Sequence, residues 1–221
     1  MAIAHDSTTT GAGVDGNTNY TFSHTCTGSD LMLMVCVTTN TTTDPSGITY
    51  NGVAMTKGAT KTQSRNGSIW YLANPATGAN TVSVTYAAAF TLAMGSATSY
   101  TGCSGSIGAT GTNGAASGTT ISVAITTTVA NSYLVGAVEC NNNQTFSSSG
   151  GSTIRANQNG GVDTISQGCV DLSTPTVQSN TLACTFPSSG DWLIAAIEIL
   201  PVAVVASISV THNLSLLGVG Q

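Results

Sequence analysis

Short runs of apolar and β-branched residues, separated by clusters of Gly, Asn, Ser and Pro, repeat along the whole chain. This pattern predicts many β-strands at regular spacing. The candidate strands cover 20–26, 31–38, 48–50, 53–60, 67–72, 81–86, 92–101, 119–126, 132–139, 152–156, 163–172, 181–186, 192–200 and 204–211. Val82, Val84 and Tyr86 alternate with polar residues, and so do Ile121, Val123 and Ile125. Period two places one face of each such strand in a core and the other in water. Every residue from Leu31 to Val37 is apolar, which suits a strand covered on both faces. Asn51-Gly52, between ITY and VAMT, predicts a tight hairpin, because this dipeptide readily takes positive φ. Helical periodicity is hard to find. The run 87–94 (AAAFTLAM) has room for one or two turns but reads as a loop entering a strand. The Gly-rich 104–118 and the polar 141–151 read as loops, with tips able to meet a partner.

Composition narrows the class. The expected fold is all-β, an antiparallel β-sandwich of jelly-roll-like or Ig-like type, with one domain over 1–201 of the 221 residues. Residues 202–221 form an apolar tail expected to pair within the fold or with a neighbouring subunit, since an unpaired apolar strand is an aggregation hazard. Only 6% of residues are charged, against roughly 25% in ordinary domains. Four cations against nine carboxylates argue against nucleic acid and against an anionic membrane surface as partner. The apolar stretch 192–206 is interrupted by Glu198 and Pro201 and is too short to span a bilayer. The opening MAIAHDSTTTGAG has neither a basic nor an apolar signal region, so no secretory leader is expected.

Candidate chemistry is sparse. His5, His24 and His212 lack metal-ligand spacing, and His24 falls in an alternating strand. Asp15-Gly16-Asn17 offers one carboxylate in a turn, far short of a Ca²⁺ site. Glu139, Asp163 and Asp171 could converge as a carboxylate group, although nothing in their spacing demands it. No nucleophile, metal or nucleotide motif is present, and no catalytic, cofactor or metal residue is assigned. Lys57, Lys61 and Arg65 lie in one hairpin region. On a continuous strand they share a face, either docking an acidic neighbour or discouraging edge pairing. Trp70 and Tyr71 adjoin, so alternation turns one inward and the other outward, while Trp70 and Trp192 sit in apolar runs and read as core anchors rather than sugar platforms. Cys26, Cys36, Cys103, Cys140, Cys169 and Cys184 include no CxxC pair and read as reduced core thiols. If bridges form, Cys26–Cys36 or Cys169–Cys184 are the expected ones.

The runs ITYNGVAMT, SIWYLANPATGANTVSVTY and ATSYTG, with TTTVANSYLVGAVE and DWLIAAIEILP, resemble an uncharacterised β-sandwich domain of tailed-phage structural proteins and large bacterial surface proteins. The likeness is one of pattern over roughly 5–201, with WYLxNPATGxNTVxVT as its most specific part, read as a hairpin corner. The family supplies no catalytic residues. The resemblance implies a non-enzymatic virion protein, most specifically a capsid decoration (cement) protein. Its expected partners are the major capsid protein or other virion subunits, and a homotrimer is the expected assembly. The alternative is a tail-fibre, head-fibre or adhesin module that binds host glycans through loops 104–118 and 141–151.

Overall fold

A computed structural model describes residues 2–13, 16–160 and 165–203. The described elements are all strands: β1 (Ala4–Gly13), β2 (Asn19–Cys26), β3 (Met32–Thr39), β4 (Gly47–Tyr50), β5 (Val53–Ala54), β6 (Thr56–Thr62), β7 (Asn66–Ala73), β8 (Gly78–Thr85), β9 (Ala93–Thr101), β10 (Cys103–Ala115), β11 (Thr120–Thr126), β12 (Ser132–Asn141), β13 (Ser147–Ser149), β14 (Thr153–Asn159), β15 (Ile165–Thr174), β16 (Ser179–Thr185) and β17 (Trp192–Pro201). Their pairings are antiparallel. The all-β, antiparallel sandwich architecture is as the alternation predicts.

Four sheets form. An outer sheet of order β2-β8-β4-β5 packs on an inner sheet β1-β9-β3-β7-β6, and the second half of the chain builds an inner sheet β10-β17-β12-β15-β14 and an outer sheet β11-β16-β13. The two halves share one plan. Replacing β1, β9, β3, β7, β6 by β10, β17, β12, β15, β14 reproduces the inner order, and β2, β8, β4 map onto β11, β16, β13. The chain is therefore two sandwiches of the same topology, stacked through their inner sheets.

Three cores hold this stack. The first, with Leu33, Val35, Val37, Tyr50, Val82 and Val84, lies inside the first sandwich. The third, with Ile121, Val123, Leu134, Leu182 and Trp192, lies inside the second. The central one joins the two, with Met32, Met34 and Cys36 against Val135, Ala137, Ala195 and Ile197. Strand β3 feeds the first core with its odd residues and the central core with its even ones. That is the two-sided burial its unbroken apolar run predicts, and all eight of its residues are buried. Each large aliphatic side chain buried this way contributes about 1.5–3 kcal/mol.

Several expectations are corrected. The Gly-rich 104–118 is mostly strand, because β10 runs 13 residues beside β17. Its glycines suit close approach: a Cβ on Gly111 would lie 2.8 Å from Ile125, and one on Gly114 would lie 3.0 Å from the Trp192 carbonyl. Within 141–151 the short β13 pairs with β16. The polar β1, with no apolar signal of its own, pairs along β9. The span 53–60 is split into β5 and β6, which belong to different sheets. The segment WYLANPATGANTVSVTY is not a hairpin corner, because β7 pairs in the inner sheet and β8 in the outer one. It arches between sheets, with Asn74 at φ 49° and Gly78 at φ 83°. The Asn51-Gly52 hairpin is present, at φ 50° and 77°. The candidate strand 204–211, the tail beyond 203, and Asp15, Asp163 and His212 lie outside the described residues.

Candidate functional site

An apolar groove of about 660 Å³ opens at the end of the second sandwich where β17 stops. Ala2, Val129, Ala130, Leu200, Pro201 and Ala203 supply its apolar lining, and Ser104 and Ser106 of β10 complete one wall. The Val129–Asn131 turn is held by Glu198, which points into the second sandwich. Its carboxylate accepts from the Thr128 N–H (2.9 Å), the Thr128 hydroxyl (2.9 Å), the Val129 N–H (3.3 Å), the Ser132 hydroxyl (2.8 Å) and the Ala109 N–H (2.9 Å). Burial pushes this carboxyl up, but those hydrogen bonds outweigh it and hold the group below its ordinary value. Glu198 is thus a staple for the turn that forms one side of the groove.

His24 is buried at the side of the first sandwich. Its Nδ1 meets the Thr9 hydroxyl at 2.8 Å, and its Nε2 meets the Ser99 hydroxyl at 3.1 Å. Ser99 donates to Asp6 at 2.6 Å, and Asp6 also accepts from Thr27. Burial drives the imidazole down to about 4, with Asp6 opposing and His5 reinforcing, so the ring is neutral at pH 7. Serine, histidine and aspartate meet here, but the carboxylate contacts the serine rather than the ring, and the Ser99 side chain is wholly buried. The cluster is a closed hydrogen-bond knot.

Of the three carboxylates named from sequence, the two that are described, Glu139 and Asp171, do not converge. Glu139 and Asp171 both face the central layer, but Glu139 pairs with Gln167, while Asp171 pairs with Val135 four positions away. That separation is about 13 Å along the strands, beyond the roughly 5–9.5 Å that glycoside hydrolysis requires. Glu139 instead meets Arg65 Nε at 3.6 Å, and Arg65 Nη1 lies 3.5 Å from Asp191. Burial pushes the Glu139 carboxyl up to about 8, with Arg65 opposing and Asp191 reinforcing. Asp171 accepts from Tyr100 at 2.9 Å and from Arg155 at 2.6 Å. Asp191 and Glu198 escaped the sequence reading because their partners lie on distant strands. Among the described residues, no group of three or more His, Cys, Asp or Glu could hold a metal ion.

The basic stripe is broken by a β-bulge. Register shifts between Lys57 and Ala59, so Lys57 pairs with Trp70 while Lys61 pairs with Gly67. Trp70 belongs to the first core, whereas Gly67 abuts Leu193 of the other sandwich, so the two lysines face opposite ways. Lys57 binds Asp44 at 2.5 Å and stands 5.0 Å over the Trp70 ring. Trp70 and Trp192 are buried, as core anchors should be, and Tyr71 packs on the central core. All six cysteines are free and buried. Cys26 and Cys36 occupy different cores, as do Cys169 and Cys184, so neither expected bridge is in reach.

The strands of the two outer sheets contain no Asp, Glu, Lys or Arg. Small hydroxyl residues recur along their outward faces, interrupted by Ala79, Ala124 and Val53. Thr21, Ser83 and Thr49 align on one, and Thr120, Thr185 and Ser147 align on the other. Comparison with family models, curated proteins and solved structures finds no match.

Proposed function

We propose that this protein is a non-enzymatic structural subunit of a tailed-phage virion, a decoration protein that cements the capsid shell as a homo-oligomer, taken as a trimer. The observation that carries the reading is the pair of outer sheets, with charge-free, hydroxyl-rich strands, on opposite sides of a four-layer stack. Three sheet-to-sheet spacings of about 10 Å set them about 30 Å apart. Such faces bind through hydroxyl hydrogen bonds and small apolar contacts rather than ion pairs. A slab with two of them can bridge neighbouring subunits of the major capsid protein. Whatever binds the assembled shell and not its dissociated subunits stabilises the shell by mass action. The setting itself rests on the sequence resemblance.

The test is attachment to particles. Protein added to shells lacking it should raise their disruption temperature and stay bound in about 1 M salt, where screening acts within about 3 Å. Thr21→Lys and Thr185→Lys, each on one outer face, should weaken attachment without altering the circular dichroism spectrum. Release at moderate salt, or attachment indifferent to both substitutions, would sink the proposal. The glycan-binding alternative would rest on 141–151, since 104–118 is largely strand and Trp70 and Trp192 are buried. Specific hits on a glycan array would favour it.

A further inference from the structure

The groove at the end of β17 lies where the described residues end, at Ala203. Strand β17 leaves its sheet at Pro201, where Val202 N–H donates to the Gly102 carbonyl at 2.9 Å, and Ala203 stands on the groove wall. From there the sequence alternates strictly over the 11 residues 206–216. Ala206, Ile208, Val210, His212, Leu214 and Leu216 fall on one parity, and Ser207, Ser209, Thr211, Asn213 and Ser215 on the other. Period two of this length encodes a strand with one predominantly apolar face, about 36 Å long if fully extended.

Such a strand cannot simply prolong the second inner sheet. The neighbours of β17 give out where it does: Pro201 pairs with Cys103, the first residue of β10, and Ile199 pairs with Tyr133, the second residue of β12. Beyond Pro201, β17 therefore has no more of either neighbouring strand to pair with. The apolar groove, meanwhile, is rimmed by Val129, one of three exposed large hydrophobics among the described residues, at 39% exposure.

We propose that segment 206–216 is an intersubunit strand whose apolar face seats in the groove of a second copy of this chain. Each copy then gives a strand and offers a groove, so a reciprocal exchange closes as an isologous dimer and a head-to-tail one as a small ring. The proposal goes beyond the virion reading and does not depend on it, because it concerns the purified protein alone.

Sedimentation of the 221-residue protein at micromolar concentration tests it. The unaltered chain should be oligomeric. Val129→Asp in the groove and Leu214→Asp in the segment should each shift the mass to that of the monomer, with an unchanged circular dichroism spectrum. Mixing the two variants is decisive. One retains an intact segment and the other an intact groove, so an exchange between copies restores association of a mixed pair, which neither misfolding nor docking of the segment on its own chain can produce. An unaltered chain that is monomeric, variants that stay oligomeric, or a mixture that remains monomeric would each overturn the proposal. None of these outcomes bears on whether the protein attaches to a capsid.

Discussion

Tyr100 on β9 of the first sandwich donates a 2.9 Å hydrogen bond to Asp171 on β15 of the second, and both residues are buried in the central layer. Arg155 reaches the same carboxylate oxygen at 2.6 Å. The contact ties the sandwiches together with polar groups inside a mostly apolar interface, where an unpaired donor or charge is expensive. Tyr100→Phe removes one donor and leaves the ion pair intact, so it should cost about 1–2 kcal/mol. Asp171→Ala strands both the hydroxyl and the guanidinium. Because Arg155 is a quarter exposed, the cost should be about 3 kcal/mol, at the lower end for broken buried pairs. Urea denaturation measures both. Equal losses for the two variants would show that the ion pair contributes nothing at this position.

Glu198 argues a second prediction, because it gathers five donors around the turn that borders the groove. Gly108 has no side chain at the one place where a Cβ would lie 2.2 Å from the Glu198 carboxylate. Gly108→Ala should therefore displace the carboxylate and destabilise the fold by about 1–3 kcal/mol. Glu198→Ala should orphan the donors and cost about 2–4 kcal/mol. Hydrogen exchange should also speed up at Thr128 and Val129 in both variants. Exchange that stays slow there would show that the turn does not need the staple.

The strands with strong alternation were legible because each pairs one wet face with one core, as at Val82, Val84 and Tyr86. The duplication was also written in the sequence and escaped the reading. Asn80, Thr81, Val82, Val84 and Tyr86 recur 100 residues later as Asn180, Thr181, Leu182, Cys184 and Phe186. A search for internal repeats exposes that spacing, whereas a strand-by-strand reading does not. Strand β10 was hidden for the opposite reason. Gly108, Gly111 and Gly114 lie where Glu198, Ile125 and the Trp192 carbonyl approach too closely for a side chain, so the composition that signals a loop elsewhere here fits a crowded strand. The Arg65, Glu139 and Asp191 cluster joins residues that only the stacking of two sandwiches brings together.

The pH dependence of stability should be cut from two sides by two buried groups. Burial raises Glu139 from its ordinary 4.5 to about 8, with Arg65 opposing and Asp191 reinforcing the rise. The folded state therefore holds this proton more tightly than the unfolded state. Its contribution is whole below pH 4.5 and is lost as pH rises through about 8. Burial lowers His24 from 6.5 to about 4, so its neutral form favours folding. That contribution is present above pH 6.5 and is lost as pH falls toward 4. Glu139→Gln should remain neutral at every pH and gain on the unaltered protein as the medium is made alkaline. His24→Gln should flatten the decline between pH 6.5 and 4, at some cost to stability at neutral pH. Urea midpoints across this range measure both slopes. A Gln variant at 139 that tracks the unaltered protein up to pH 9 would remove Glu139 from the account.

The thiols give the last prediction. Burial raises Cys103 and Cys184 to about 12, and raises Cys26 and Cys140 as well. Cys36 is raised chiefly by its hydrogen bond with Cys169 across the central layer, and by burial. A nucleophilic thiolate is scarce under such conditions and access is blocked, so native protein should react with a disulfide reagent only as fast as it unfolds. All six thiols should titrate in non-reducing denaturant. If an oxidant is supplied during partial opening, the pair already facing one another is Cys36 and Cys169, and peptide mapping should recover that bridge in preference to Cys26–Cys36 or Cys169–Cys184. Such a bridge would cross-link the two sandwiches covalently and raise the urea midpoint. Fewer than six thiols in the denatured, unreduced chain, or fast labelling of the native one, would show that the three cores are not closed as described.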